Sequence, residues 1–207
     1  MDGYIQVSLS ELMEQIGEDR VKSILSNFSC PLNKDVEKFL RSNAILFERQ
    51  SIARTTLVFT QHKGDNVLVG YFTLAIKNFV VNKGKLSSNL RHRISKFCVD
   101  SYDITGTQKE STIVAPLIAQ LGKNFTDSYN QLITGDELLK LACEKVAFVQ
   151  QNIGGKIVYL ECEDKPYLIE FYGSNGFVEF GKRQLDRDEK EDLDGQYLIQ
   201  MLKYMNT

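Results

Sequence analysis

The chain has 207 residues and a net charge of −2, with 43% hydrophobic and 25% charged residues. Such a composition belongs to an ordinary globular protein, and a chain this long buries roughly 70% of its unfolded surface without needing a disulfide or metal staple. It holds no run approaching 18 apolar residues, which excludes a transmembrane helix, and the slight acidity argues against a nucleic-acid partner.

The start, Met1-Asp2-Gly3-Tyr4, lacks the basic stretch and apolar run of a secretory leader, so a cytoplasmic location is expected. Four cysteines, Cys30, Cys98, Cys143 and Cys162, lie far apart and read as reduced, mostly buried small hydrophobes. With only His62 and His92 beside them, no metal site is expected. A homodimer is compatible with the chain, twofold dimers being the commonest assemblies.

Residues 8–28 carry Leu9, Leu12, Met13, Ile16, Val21, Ile24 and Leu25 at helical spacing, with Ser8 or Ser10 to cap them and Gly17 placed to split them. A second helix is expected over 34–50, with Val36, Phe39, Leu40, Ala44 and Phe47 on one face. The period then changes. Residues 55–61 and 67–79 read as strands joined by a hairpin at His62-Lys-Gly-Asp-Asn66. Residues 80–110 are polar and irregular, an excursion with a short helix near 88–97. Their basic run, Lys83, Lys85, Arg91, His92, Arg93 and Lys96, reads first as a solvated face and second as a surface for an anionic partner.

The near-continuous apolar run at 112–121 suits a strand covered on both faces, with Pro116 forcing an irregularity because proline cannot donate to a ladder. A helix follows at 135–151, with Leu138, Leu141, Ala142, Val146 and Val149 as its buried stripe and Gly154-Gly155 as its stop. A strand at 157–162, a short helix at 167–174 stopped by Asn175-Gly176, a strand at 177–180, a charged turn at 186–194 and a last strand at 196–205 complete the chain. No repeat or linker appears. The alternation implies one α/β domain over 1–207, with 1–28 as a helical extension.

The segment able to carry chemistry is the strand–loop–helix at 112–151. A helix N-terminus offers unpaired N–H groups and partial positive charge to a phosphate. Gly135 lets an anion approach the backbone and Thr134 adds a hydroxyl, while Asp136 opposes an anion. An ordinary capped helix is the competing reading.

Three stretches make the chain resemble the GNAT superfamily of acyl-CoA-dependent N-acyltransferases, whose core is a splayed mixed sheet flanked by helices. Pro116-Leu-Ile-Ala-Gln-Leu-Gly-Lys-Asn124 resembles the splayed strand. Residues 129–135, Tyr-Asn-Gln-Leu-Ile-Thr-Gly, stand where the family has its pyrophosphate loop. Phe171-Tyr-Gly-Ser-Asn-Gly-Phe177 is similar to the family's Phe-Tyr-x-x-x-Gly-Phe run. Phe28-Ser-Cys-Pro-Leu-Asn33, Arg54-Thr-Thr-Leu-Val58 and Val69-Gly-Tyr-Phe-Thr-Leu-Ala75 resemble a bacterial branch that includes toxins of toxin–antitoxin pairs. The chain departs from the loop pattern with Asn130 at the Gln/Arg position and Ile133 at the first glycine position; Lys165 replaces an asparagine many members carry.

The resemblance implies acetyl-CoA as co-substrate and direct transfer of an acetyl group to an amine, with no metal. The backbone of Leu121, Gly122 and Lys123 would meet the pantetheine arm. Asn130, Gln131, Ile133, Thr134, Gly135 and Asp136 would hold the pyrophosphate, and Tyr172 would protonate the leaving thiolate. Glu161 and Glu163 are candidate bases through water. The acceptor amine is open, a small molecule or a protein; toxin-like acetylation of aminoacyl-tRNA and a catalytically degenerate acyl-CoA-binding or interaction module are the alternatives.

Overall fold

The computed structural model describes residues 3–102, 104–187, 189–191, 193 and 195–205. Met1 and Asp2, and part of the charged turn expected at 186–194, lie outside the described residues. The strands are β1 (Tyr4–Ser8), β2 (Arg54–His62), β3 (Asp65–Val80), β4 (Cys98–Tyr102), β5 (Gln108–Lys123), β6 (Ile157–Glu163), β7 (Val178–Gln184) and β8 (Tyr197–Tyr204). They form one sheet in the order β1-β2-β3-β5-β6-β8-β7, with β4 on β5. The helices are α1 (Leu9–Ile16), α2 (Glu18–Ser26), α3 (Lys34–Lys38), α4 (Ala44–Arg49), α5 (Ser88–Ser95), α6 (Gly135–Ile153) and α7 (Pro166–Ser174). The class is α/β, as the alternation implied. Among the described residues, no helix is long and apolar enough to cross a membrane.

The chain divides into two compact units. The first comprises 1–75, 118–143 and 191–193; the second comprises 76–117, 144–190 and 194–207.

In the first unit, the helical extension expected over 8–28 begins with a strand. β1 pairs antiparallel with β2, Tyr4 opposite Thr60 and Ser8 opposite Thr56, and the helix starts only at Leu9. Gly17 separates α1 from α2. The helix expected over 34–50 is present but interrupted by a π-turn at Phe39–Asn43, which sets Phe39, Leu40 and Ala44 inward. These residues and Val36 pack with Leu9, Val21, Leu25, Phe28, Leu57 and Tyr71 in one apolar cluster. Within it, the Phe28 and Tyr71 rings meet edge-on at 5.2 Å, and the Tyr71 hydroxyl donates to the Val36 carbonyl at 2.6 Å. The hairpin between β2 and β3 turns on Lys63 and Gly64, both at positive φ, the twist a two-residue hairpin needs.

In the second unit, the excursion is more ordered than its polarity suggests. α5 is capped by Ser87, whose Oγ accepts the Leu90 N–H, and β4 pairs antiparallel with β5. Lys83 Nζ donates to both Asp100 carboxylate oxygens, at 2.8 and 3.0 Å, and the Ser111 hydroxyl donates to Asp100 Oδ1 at 2.7 Å. Lys83, expected on a solvated face, is therefore a tie within the excursion. The core joins Phe79, Ile94, Ile113, Tyr159, Phe180 and Leu202, with the Phe79 ring 4.3 Å from Tyr159 and 4.8 Å from Phe180. β8 lies between β6 and β7 and is antiparallel to both.

β5 corrects one expectation. Its run is not covered on both faces: Ser111, Ile113, Ala115 and Leu117 are buried, while Val114 between them is 65% exposed. The alternation then changes phase, Leu117 and Ile118 both being buried, one residue after Pro116. An inserted residue in a ladder produces such a phase change, and a proline disrupts a ladder in that way. α6 buries Leu138, Leu141, Ala142 and Val146 as its spacing predicts, while Val149, the last of the expected stripe, is part-buried. The four cysteines are free thiols; Cys30, Cys143 and Cys162 are buried.

Candidate active site

The loop between β5 and α6 is held from within the first unit. At its start stands Asn124, buried and not singled out by the sequence reading. Its Oδ1 accepts the N–H groups of Ser29 (3.0 Å) and Thr126 (3.1 Å), and its Nδ2 donates to the Leu68 carbonyl (2.8 Å). A 3₁₀ segment, Thr126–Gln131, follows, with Asp127 and Ser128 at positive φ. The part-buried His62 sets its ring edge-on to Tyr129 at 6.1 Å. The Lys123 side chain returns to the loop, and Nζ donates to the carbonyls of Asn130 (2.9 Å) and Ile133 (3.2 Å). Tyr4, on β1, donates its hydroxyl to the Leu132 carbonyl at 3.0 Å.

Ile133, bulky where the family has glycine, is 2% exposed. Its side chain packs inward. Thr134 caps α6 in a reciprocal box. Glu137 Oε2 accepts the Thr134 N–H (2.7 Å) and hydroxyl (2.8 Å), and the Thr134 Oγ1 accepts the Glu137 N–H (3.1 Å). The Thr134 hydroxyl, read as a phosphate donor, is thus engaged in the cap. The Thr134-x-x-Glu137 spacing is the signal that would have revealed it. The Thr134 bonds hold the Glu137 carboxyl below its ordinary pKa, with Tyr4 and Lys123 adding to them. Asn130 and Gly135 are part-buried; Gln131 and Asp136 are exposed. Leu121 is part-buried and Gly122 buried, packed between Val36, Tyr71 and Phe28.

In the second unit, Tyr172 sits in α7, which starts at Pro166 with the preset φ a first helical turn accepts. The helix stops where the Phe177 N–H reaches back to the Tyr172 carbonyl (3.1 Å) and Gly176 takes φ 83°. That six-to-one closure needs a left-handed residue, and glycine adopts it without strain. The turn brings the Phe171 and Phe177 rings to 4.9 and 6.0 Å from the Tyr172 ring. Burial, with a smaller contribution from Cys162, pushes the Tyr172 phenol above its ordinary value. Burial also pushes the Cys162 thiol up to about 12. Both groups keep their protons at neutral pH.

The two candidate bases are already committed. Glu161 accepts from Arg183 Nε (2.8 Å) and from Gln200 Nε2 (2.7 Å); Glu163, 6% exposed, pairs with Lys165 Nζ at 2.8 Å. A carboxylate held by a cation and buried in that way is a structural ion pair, and neither is assigned as base. Among the described residues, no three His, Cys, Asp or Glu side chains could hold a metal ion.

The sequence matches no protein-family model and no curated protein. Solved structures do match. A tyrosine-to-phenylalanine mutant of KacT superposes with TM-score 0.60 at 14% identity, over 96% of this chain and 94% of that one. An AtaT mutant toxin bound to acetyl-CoA and the C-terminus of the antitoxin AtaR matches with TM-score 0.58 at 15% identity, over 98% and 94%. AtaT complexed with acetyl-methionyl-tRNAfMet matches with TM-score 0.55 at 17% identity, over 84% and 85%. The chain has the GNAT fold. At these identities the likeness is one of fold, and it extends over nearly the whole length. The GNAT fold meets the expectation from the Pro116, 129–135 and Phe171–Phe177 stretches. One neighbour on this fold is bound to tRNA, so the net charge of −2 does not exclude a nucleic-acid partner.

Proposed function

We propose that this protein is an acetyl-CoA-dependent N-acetyltransferase. The observation that carries the reading is Tyr172, held protonated between Phe171 and Phe177 on α7 of a GNAT fold. A neighbour of the same fold bound to acetyl-CoA supports the co-substrate. The loop suits the pyrophosphate. Its carbonyls at Asn130, Leu132 and Ile133 are satisfied inside the unit, and Lys123 partly offsets the Glu137 charge. The backbone from Leu121 to Lys123 meets the pantetheine arm, and the loop from Asn130 to Asp136 meets the phosphates with N–H groups other than those of Leu132 and Thr134, which are bonded to Tyr129 and Glu137.

Acetyl-CoA supplies the thioester. A neutral amine attacks its carbonyl carbon, and the C–N bond forms as the carbonyl oxygen gains charge. A backbone N–H near Leu121 stabilises that oxyanion. The C–S bond then breaks, Tyr172 gives its proton to the leaving sulfur, and the proton shed by the amine nitrogen returns through water to the phenolate.

Acetyl-CoA at 100 times its Kd is expected to add about 2.7 kcal/mol to stability and raise the thermal midpoint by about 5–10 °C. No shift at millimolar ligand would overturn the enzyme reading in favour of an interaction module.

The acceptor we infer is the amine of an aminoacyl-tRNA. The tRNA complex of AtaT favours it, and the exposed Arg91 and Lys96 on and beside α5 offer cations to a phosphate backbone. Label from acetyl-CoA should then enter the aminoacyl group of charged tRNA at low salt and fall steeply as salt rises. Equal labelling of free amino acids and charged tRNA would point to a small-molecule acceptor instead.

A further inference from the structure

Three of the four carbonyls from Asn130 to Ile133 are held by two side chains from outside the loop. Lys123 Nζ takes Asn130 and Ile133; Tyr4 Oη takes Leu132. No peptide in the chain is cis among the described residues. In a planar trans peptide, the N–H of the next residue points opposite to the carbonyl. Fixing these carbonyls toward Lys123 and Tyr4 therefore turns the N–H groups of Gln131, Ile133 and Thr134 the other way. Glu137 takes the one on Thr134. The Leu132 N–H is spent on the Tyr129 carbonyl, so what the loop offers an anion rests on the Gln131 and Ile133 N–H groups.

We propose that Tyr4 is a positioning residue for coenzyme binding, its hydroxyl fixing the Leu132–Ile133 peptide so that the loop offers the pyrophosphate an N–H and not a carbonyl. The proposal rests on the reading of 129–136 as the pyrophosphate loop. Tyr4 is well placed for the task. It is the first residue of β1, in register opposite Thr60, and the Thr60 hydroxyl donates to the Gly3 carbonyl at 2.8 Å, which fixes the strand's start. Partial burial, the charge of the nearby Glu137 carboxylate and a hydrogen bond with it push the phenol above its ordinary pKa, so it keeps its proton. A span of 128 residues separates Tyr4 from Leu132, so the N-terminal strand directly shapes the loop. Without the hydroxyl, the Leu132–Ile133 peptide can flip and present a carbonyl to the anion.

The test compares wild type and Tyr4→Phe in the full chain, with two probes. Acetyl-CoA carries the pyrophosphate; S-acetylpantetheine has the same thioester arm without it. Tyr4→Phe is expected to weaken acetyl-CoA about threefold to tenfold, the worth of one hydrogen bond. S-acetylpantetheine affinity should stay unchanged, and the KM for acetyl-CoA should rise with kcat constant. Equal weakening of both probes, or no weakening of either, overturns the role of Tyr4 while leaving coenzyme binding intact. A wild-type protein that binds neither probe removes the coenzyme reading itself, and that result is seen before any variant is made.

Discussion

Tyr172→Phe is expected to lower kcat by about 100-fold or more while leaving acetyl-CoA affinity unchanged. A positioned general acid contributes about 10²–10⁴-fold, and removing only the hydroxyl removes that contribution. The ring stays, so the contacts with Phe171 and Phe177 survive and α7 keeps its closure through the backbone bond from Phe177 to Tyr172. The pH profile adds a second check. The Tyr172 phenol is raised above its ordinary value of 10.0, so the proton-donating form is fully present below that pH and is lost only as pH rises through the higher folded value. The rate should therefore show no alkaline fall attributable to the acid below about pH 10. The same sign holds for stability. The folded state holds this proton more tightly than the unfolded chain, so the contribution is constant below about pH 10 and lost above it. Steady-state kinetics with thiol release, beside a binding titration, decides the matter. A kcat within threefold of wild type would exclude Tyr172 as the acid.

The frame around Tyr172 was legible in the sequence because it is local. One helix, one glycine turn and two aromatic rings span only residues 166–177, and each obeys short-range rules of capping and turn formation. The loop was legible by position but not by its anchors. Lys123 reaches seven and ten residues ahead, Asn124 ties back to Ser29 and Leu68, and Tyr4 reaches Leu132. No periodicity encodes such long ties. Two strands escaped for related reasons. β1 is five residues long and runs directly into the α1 pattern, so its alternation merged with the helix. β4, Cys-Val-Asp-Ser-Tyr, has polar residues at two of five positions and Val99 is 72% exposed, so it lacks a buried face to read. The apolar run on β5 misled in the opposite direction, because an exposed Val114 looks the same in sequence as a buried one.

Gly122→Ala is expected to destabilise the protein by about 1–3 kcal/mol, the usual cost of forcing a methyl group into a packed site. The family resemblance placed Gly122 on the pantetheine arm, yet its surroundings give it a packing role. A Cβ there would collide with Val36 Cγ1 and lie 3.2 Å from Tyr71 Cε1 and 3.3 Å from Phe28 Cζ. The two ring contacts are tight, and Tyr71 cannot retreat easily because its hydroxyl is bonded to the Val36 carbonyl. Gly70 is equally constrained, since a Cβ on it would meet the Gly122 carbonyl oxygen at 2.9 Å. Val36 is the neighbour that must yield. It stands on the five-residue α3, where Asn33 Oδ1 accepts its N–H. Val36→Ala alone leaves a small cavity, but combined with Gly122→Ala it makes room for the new methyl. The double variant should therefore lose less stability than the two single losses added, by about 0.5–3 kcal/mol, as residues in direct contact do. Urea denaturation of the four proteins measures this coupling. Additive losses would show that the strain at Gly122 is relieved elsewhere. An acetyl-CoA affinity that survives in folded Gly122→Ala would make this glycine a residue of the core, its backbone alone available to the coenzyme.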